Sequence, residues 1–85
     1  MGKKFYTIIV KGGINDYTLG KITGAINALS GGEKIEEDPL RIGKAIKLKT
    51  TKRKYRTLQK FMESHYPGKC IFYDDDGWMV IKKES

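Results

Sequence analysis

The chain has 85 residues, 39% of them hydrophobic, with a formal net charge of +7 and a sequence pI of about 9.6. This length predicts one domain over residues 1–85, because a second hydrophobic core would need more chain. The lone cysteine, Cys70, excludes an intrachain disulfide and a zinc site built from cysteines. No segment reads as a signal peptide or a membrane span, which predicts a cytoplasmic protein without membrane contact.

The N-terminal third predicts a strand followed by a helix. Residues 4–11 are β-branched and aromatic without a breaker, and they are apolar on both faces, which is typical of a central strand. Asn15 or Asp16 then supplies an N-cap for a helix that runs to about Leu29. Its buried stripe recurs at intervals of three and four residues and consists of Leu19, Ile22, Ile26 and Leu29.

The middle of the chain is first acidic and then alternates between apolar residues and lysines. Residues 33–37 predict either a short polar edge strand before a turn at Asp38-Pro39 or a long acidic loop. From residue 45 to residue 49, Ile46 and Leu48 alternate with lysines, which predicts a strand with one buried face.

The C-terminal part predicts a helix and a hairpin. Thr50 or Thr51 caps a helix that Pro67-Gly68 ends. One face of this helix is predicted to carry Tyr55, Leu58, Phe61, Met62 and His65. Strands over 70–73 and 78–81 are then joined by a turn at Asp74–Gly77, since Asp-Gly supplies the positive φ that a tight turn needs.

These elements together predict an α+β fold. Two amphipathic helices would cover one face of a four- to five-stranded, mainly antiparallel sheet. A small ferredoxin-like, or split βαβ, sandwich satisfies this order of elements.

The strongest functional signal is a block of basic residues with no acidic residue among them. Nine lysines and arginines lie between Arg41 and Met62. The residues predicted to bind nucleic acid are Lys44, Lys47, Lys49, Lys52, Arg53, Arg56 and Lys60. The chain has fourteen lysines and three arginines, and lysine binds phosphate as a point charge, so backbone contact should outweigh base reading.

The first hypothesis is therefore a small basic protein that grips DNA or RNA phosphates through the second helix and the strand before it. Four to six such contacts predict a log–log salt slope of about −4 to −5. Tyr6 and Tyr73, on adjacent strands, are candidates for a base-stacking platform, although core positions suit them better.

The alternative is a phage or mobile-element interaction module that inhibits a host enzyme or defence nuclease by docking on an acidic protein surface. The acidic patch of Glu33, Glu36, Glu37 and Asp38 would pair with lysines of the same molecule or with a second copy, which makes a homodimer possible.

Catalysis is not expected. His65 is the single histidine, and the sequence assembles no nucleophile, acid–base pair or metal cluster around it. The Asp74–Asp76 run lacks the spacing of a calcium loop. The sequence thus predicts neither enzyme activity nor a cofactor or bound metal.

Overall fold

A computed structural model describes residues 2–31, 33–40 and 43–74. In chain order its elements are β1 (Lys4–Lys11), α1 (Asp16–Ser30), β2 (Glu33–Leu40), β3 (Gly43–Thr50), α2 (Lys52–His65) and β4 (Cys70–Phe72). The strands form a sheet in the order β2-β3-β1-β4, and each neighbouring pair is antiparallel. This arrangement confirms the predicted ferredoxin-like α+β sandwich. The strand predicted over 78–81 lies outside the described residues, as does the turn beyond Asp74.

Strand β1 occupies the centre of the sheet because its sequence is apolar on both faces. It pairs with β3 over its whole length and with β4 on its other side. Tyr6, Ile8 and Val10 face the helices and are buried in the main core. Thr7 and Ile9 point to the opposite side and are buried as well. The side of the sheet away from the helices is called the outer face below.

The two helices begin at the predicted caps. The Asn15 side chain accepts a hydrogen bond from the Thr18 amide at 2.8 Å, and α1 ends at Gly31, whose φ of 59° is left-handed. The Thr51 hydroxyl accepts from the Lys54 amide at 3.3 Å at the start of α2. Of the predicted buried stripe of α1, Ile22 and Ile26 are fully buried, and its other two members are half-buried against the core.

Helix α2 buries most of the predicted face. Tyr55, Leu58 and Met62 are buried and Phe61 is half-buried, whereas His65 is exposed. His65 is the last residue of the helix, and the centroid of its ring lies 4.2 Å from that of Phe61. His65 therefore shares the predicted face without being buried.

Strand β2 corrects the prediction for the acidic segment. The strand alternative is right, but the turn at Asp38-Pro39 is wrong, because β2 continues to Leu40. Pro39 is tolerated because β2 lies at the edge of the sheet that the described strands form, where a missing amide need not break a ladder between two neighbours. A bulge between Lys34 and Glu36 shifts the register, and the charges and the proline together protect this edge from pairing with other chains.

An aromatic stack fixes α2 to the sheet. The rings of Tyr6 and Tyr55 lie 3.9 Å apart and nearly parallel, and Phe72 meets Tyr55 edge-on at 5.7 Å. The Tyr55 hydroxyl donates to the Tyr73 carbonyl at 2.5 Å, and burial raises the pKa of this phenol above its usual value. Tyr6 is 2% exposed and faces the helices, so the core alternative is right for this residue and it forms no stacking platform with Tyr73.

Two buried threonines differ in hydrogen bonding and allow a matched stability test. The Thr50 hydroxyl donates to the Ser30 carbonyl, whereas no described residue bonds the buried Thr7 hydroxyl. We expect Thr50→Val to cost about 1–3 kcal/mol, since the carbonyl loses its buried donor. We expect Thr7→Val to stabilise by about 1 kcal/mol, because an unpaired hydroxyl is replaced by a methyl group. Urea unfolding measures both, and equal effects of the same sign would contradict the assignment.

Candidate functional site

The fold distributes the predicted basic residues over three places, with Arg41 outside the described residues. Strand side chains alternate between faces, so Lys44 lies on the helix side of β3 while Lys47 and Lys49 lie on the outer face. Helix α2 carries the remaining four, which are Lys52, Arg53, Arg56 and Lys60. The predicted block is therefore not one continuous surface.

Lys44 belongs to an ion-pair cluster at the edge of the sheet. The Glu37 carboxylate lies 2.9 Å from the Lys34 ammonium and 3.1 Å from the Lys44 ammonium. Hydrogen bonds from these two lysines lower the pKa of Glu37 below its usual range. The acidic patch thus pairs with lysines of the same molecule at Glu37, which offsets much of the charge of Lys44.

Lys47 and Lys49 are also set beside acidic residues. Across the β2–β3 pair, Glu36 stands opposite Lys47 and Glu33 stands opposite Lys49. On the β1 side, both ammoniums lie over the ring of Phe5, at 4.9 and 5.6 Å from its centroid. This part of the outer face has alternating charge around an aromatic ring.

The main concentration of positive charge lies where α2 begins. A pocket of about 560 Å³ is lined by the first residues of β1 and the first turns of α2. We call it the helix-start pocket; its lining residues are Gly2, Lys3, Lys4, Thr51, Lys52, Arg53 and Arg56. Five of these seven described residues are basic and none is acidic. Three of the seven predicted binding residues, Lys52, Arg53 and Arg56, are brought together here.

The start of α2 is electrostatically suited to an anion. Helix dipoles place partial positive charge at the N-terminus, yet the first turn of α2 carries Lys52, Arg53 and Lys54 and no acidic residue. Thr51 accepts from the Lys54 amide, while the amides of Lys52 and Arg53 come earlier and have no acceptor inside a helix. A bound anion would relieve the repulsion and accept from these amides.

Arg56 and Lys60 lie further along α2. The Arg56 guanidinium donates to Gln59 and to Asp74, each at 3.1 Å, and Arg56 also lines the pocket. The side chains of Arg56 and Asp74 are 45% and 71% exposed, so this ion pair contributes little and can exchange for a ligand. Lys60 is exposed and does not line the pocket.

Lys3 and Lys4 were missed as candidates because they lie outside the basic block in sequence. Lys4 pairs with Thr50 in the β1–β3 ladder, and Thr50 directly precedes the cap of α2. In an antiparallel pair, the start of one strand meets the end of the other. The pairing of β1 with β3 brings these two N-terminal lysines to the start of α2, and predicting that pairing would have identified them as candidates.

Comparisons with protein-family profiles, curated proteins and solved structures find no match to this chain. Neither described helix is long and apolar enough to cross a membrane. Within residues 2–31, 33–40 and 43–74, no group of three or more histidine, cysteine or acidic side chains is placed to hold a metal ion.

Proposed function

We propose that this protein binds the phosphates of nucleic acid at the helix-start pocket. The observation that carries the proposal is the convergence of five basic side chains from two separate elements on one pocket without an acidic lining residue. Phosphate contacts of lysine and arginine supply most of the affinity of non-specific binders, because each contact releases condensed counterions.

The composition of the pocket favours contact with the backbone over base reading. Three of its basic residues are lysines, which act as mobile point charges, and Arg53 is the one arginine there whose described contacts include no acidic partner. Contacts of this kind fix the position of a nucleic acid but carry no sequence information. We therefore expect affinity for unrelated sequences and little discrimination among them.

Fluorescence anisotropy with labelled single- and double-stranded DNA and RNA, over a salt series, tests this function. The expected result is binding at low salt that weakens steeply as salt rises, with a log–log slope of about −0.9 for each duplex phosphate neutralised. Absence of binding at roughly 50 mM salt would refute the proposal. The remaining hypothesis would then be docking on an acidic protein surface, for which capture should survive moderate salt.

A further inference from the structure

Phe5 is an exposed aromatic residue in an unusual setting. It lies on the outer face near the start of β1, and 40% of its surface is exposed. Lys49 is its direct partner across the β1–β3 ladder, and Lys47 is the next outer-face lysine along β3. Both ammoniums lie within 6 Å of the ring centroid, where the face of the ring attracts cations.

This ring adjoins the helix-start pocket. Phe5 follows Lys4 in β1, and successive strand residues are about 3.3 Å apart and point to opposite faces. Lys4 therefore lines the pocket while Phe5 presents its ring on the outer face. A polyanion bound in the pocket would therefore pass around the start of β1 to reach the ring on the outer face.

We propose that a single strand of nucleic acid continues from the helix-start pocket onto the outer face, where one base stacks on Phe5 and Lys47 and Lys49 bind the flanking phosphates. This inference rests on the proposed function and names its substrate class. In a duplex the faces of the bases are already stacked, so only a splayed base is available to an exposed ring. Once a base covers the ring, the two ammoniums turn from the ring to the phosphates on either side.

The neighbouring residues limit the size and direction of this platform. Further along the outer face, Ile9 and Ala45 are 2% and 1% exposed, with Tyr73 packed against them. Among the described residues, the ring on that part of the face is Tyr73, which is half-buried and so less available for stacking than Phe5. On the β2 side, Glu33 and Glu36 stand next to the two lysines and repel phosphates. The strand should therefore follow β1 and β3, with one stacked base.

The experiment compares two labelled oligonucleotides of equal length and charge, a normal single strand and an abasic deoxyribose-phosphate strand. We expect the wild-type protein to bind the normal strand roughly fivefold or more tightly than the abasic one, because stacking on an aromatic side chain adds affinity for each base. Phe5→Ala should abolish this difference, while the abasic strand should still bind through the helix-start pocket. Phe5→Trp should keep it. Far-UV circular dichroism checks that both variants fold, as the exposure of Phe5 leads us to expect.

The outcomes separate this inference from the proposed function. If the wild-type protein binds the normal and abasic strands equally, or if Phe5→Ala leaves the preference intact, stacking on Phe5 is overturned while phosphate binding stands. If neither oligonucleotide binds, both are overturned. A tighter complex with duplex than with single strand would also overturn the stacking inference.

Discussion

Replacing Gly43 with alanine is expected to destabilise the fold by about 3 kcal/mol or more, a large part of the stability of a small domain. Gly43 begins β3 with a φ of 150°, a region that residues with a side chain rarely adopt. A Cβ there would lie 2.0 Å from the Val10 carbonyl oxygen and 2.8 Å from the Gly12 amide nitrogen. These are backbone atoms at the end of the central strand, so the clash cannot be relieved by a side-chain rotation.

Urea unfolding followed by far-UV circular dichroism measures this loss. Gly20→Ala is the matched control, because Gly20 is an exposed helical residue of α1 and a Cβ there meets no atom within 4 Å. Alanine at that position should stabilise by about 1 kcal/mol through its higher helix propensity. If Gly43→Ala unfolds within roughly 0.5 kcal/mol of wild type, the ordinary range of a surface substitution, the described close approach of β3 to β1 is incorrect.

Much of the fold was predictable from local signals. Asn15 and Thr51 are strong N-caps, and the two-sided apolar character of β1 predicted its central position in the sheet. The alternation around Ile46 and Leu48 likewise fixed the buried face of β3. Each of these features is set by residues close together in the chain, which is why a single sequence reveals them.

The shape of β2 and the grouping of charges depend on contacts between distant residues. Pro39 reads as a turn signal in isolation, and only the edge position of β2 makes it compatible with a strand. The bulge between Lys34 and Glu36 decides which acidic residues stand beside Lys47 and Lys49. Neither the edge position of β2 nor its bulge has a local sequence pattern strong enough to outweigh the turn predicted at Asp38-Pro39.

The helix-start pocket illustrates the same limit. Charge spacing along the chain grouped seven residues from Lys44 to Lys60, but only three of them line the pocket, because Lys44, Lys47 and Lys49 lie elsewhere on β3 and Lys60 lies further along α2. The register of β1 against β3 added Lys3 and Lys4, which lie more than forty residues away in sequence. The spacing of charges along the chain thus identified the pocket residues on α2 and missed those at the start of β1.

Reversing two charges at the start of α2 should weaken nucleic-acid binding and strengthen the fold at the same time. The double variant Lys52→Glu/Arg53→Glu removes two cations from the helix-start pocket and places two anions where a phosphate would bind. We expect affinity to fall roughly tenfold or more and the magnitude of the salt slope to fall by about 2. Acidic residues in the first turn suit the helix dipole, so each should add about 0.3–1 kcal/mol of stability.

The matched control is Lys60→Glu/Lys69→Glu, which changes the net charge equally at two exposed positions outside the pocket. Neither control position is in the first turn of α2, so the stabilisation by the helix dipole is not expected there.

Anisotropy and thermal unfolding on the same samples then give two readouts for each variant. Equal losses of affinity in the two double variants would mean that the overall field of the protein, and not the pocket, attracts the nucleic acid. A large loss confined to Lys52→Glu/Arg53→Glu, together with a higher midpoint of unfolding, cannot come from damage to the fold, because damage would lower both quantities. A variant that gains stability and loses affinity would therefore show that Lys52 and Arg53 serve binding and that their positive charges destabilise the start of α2.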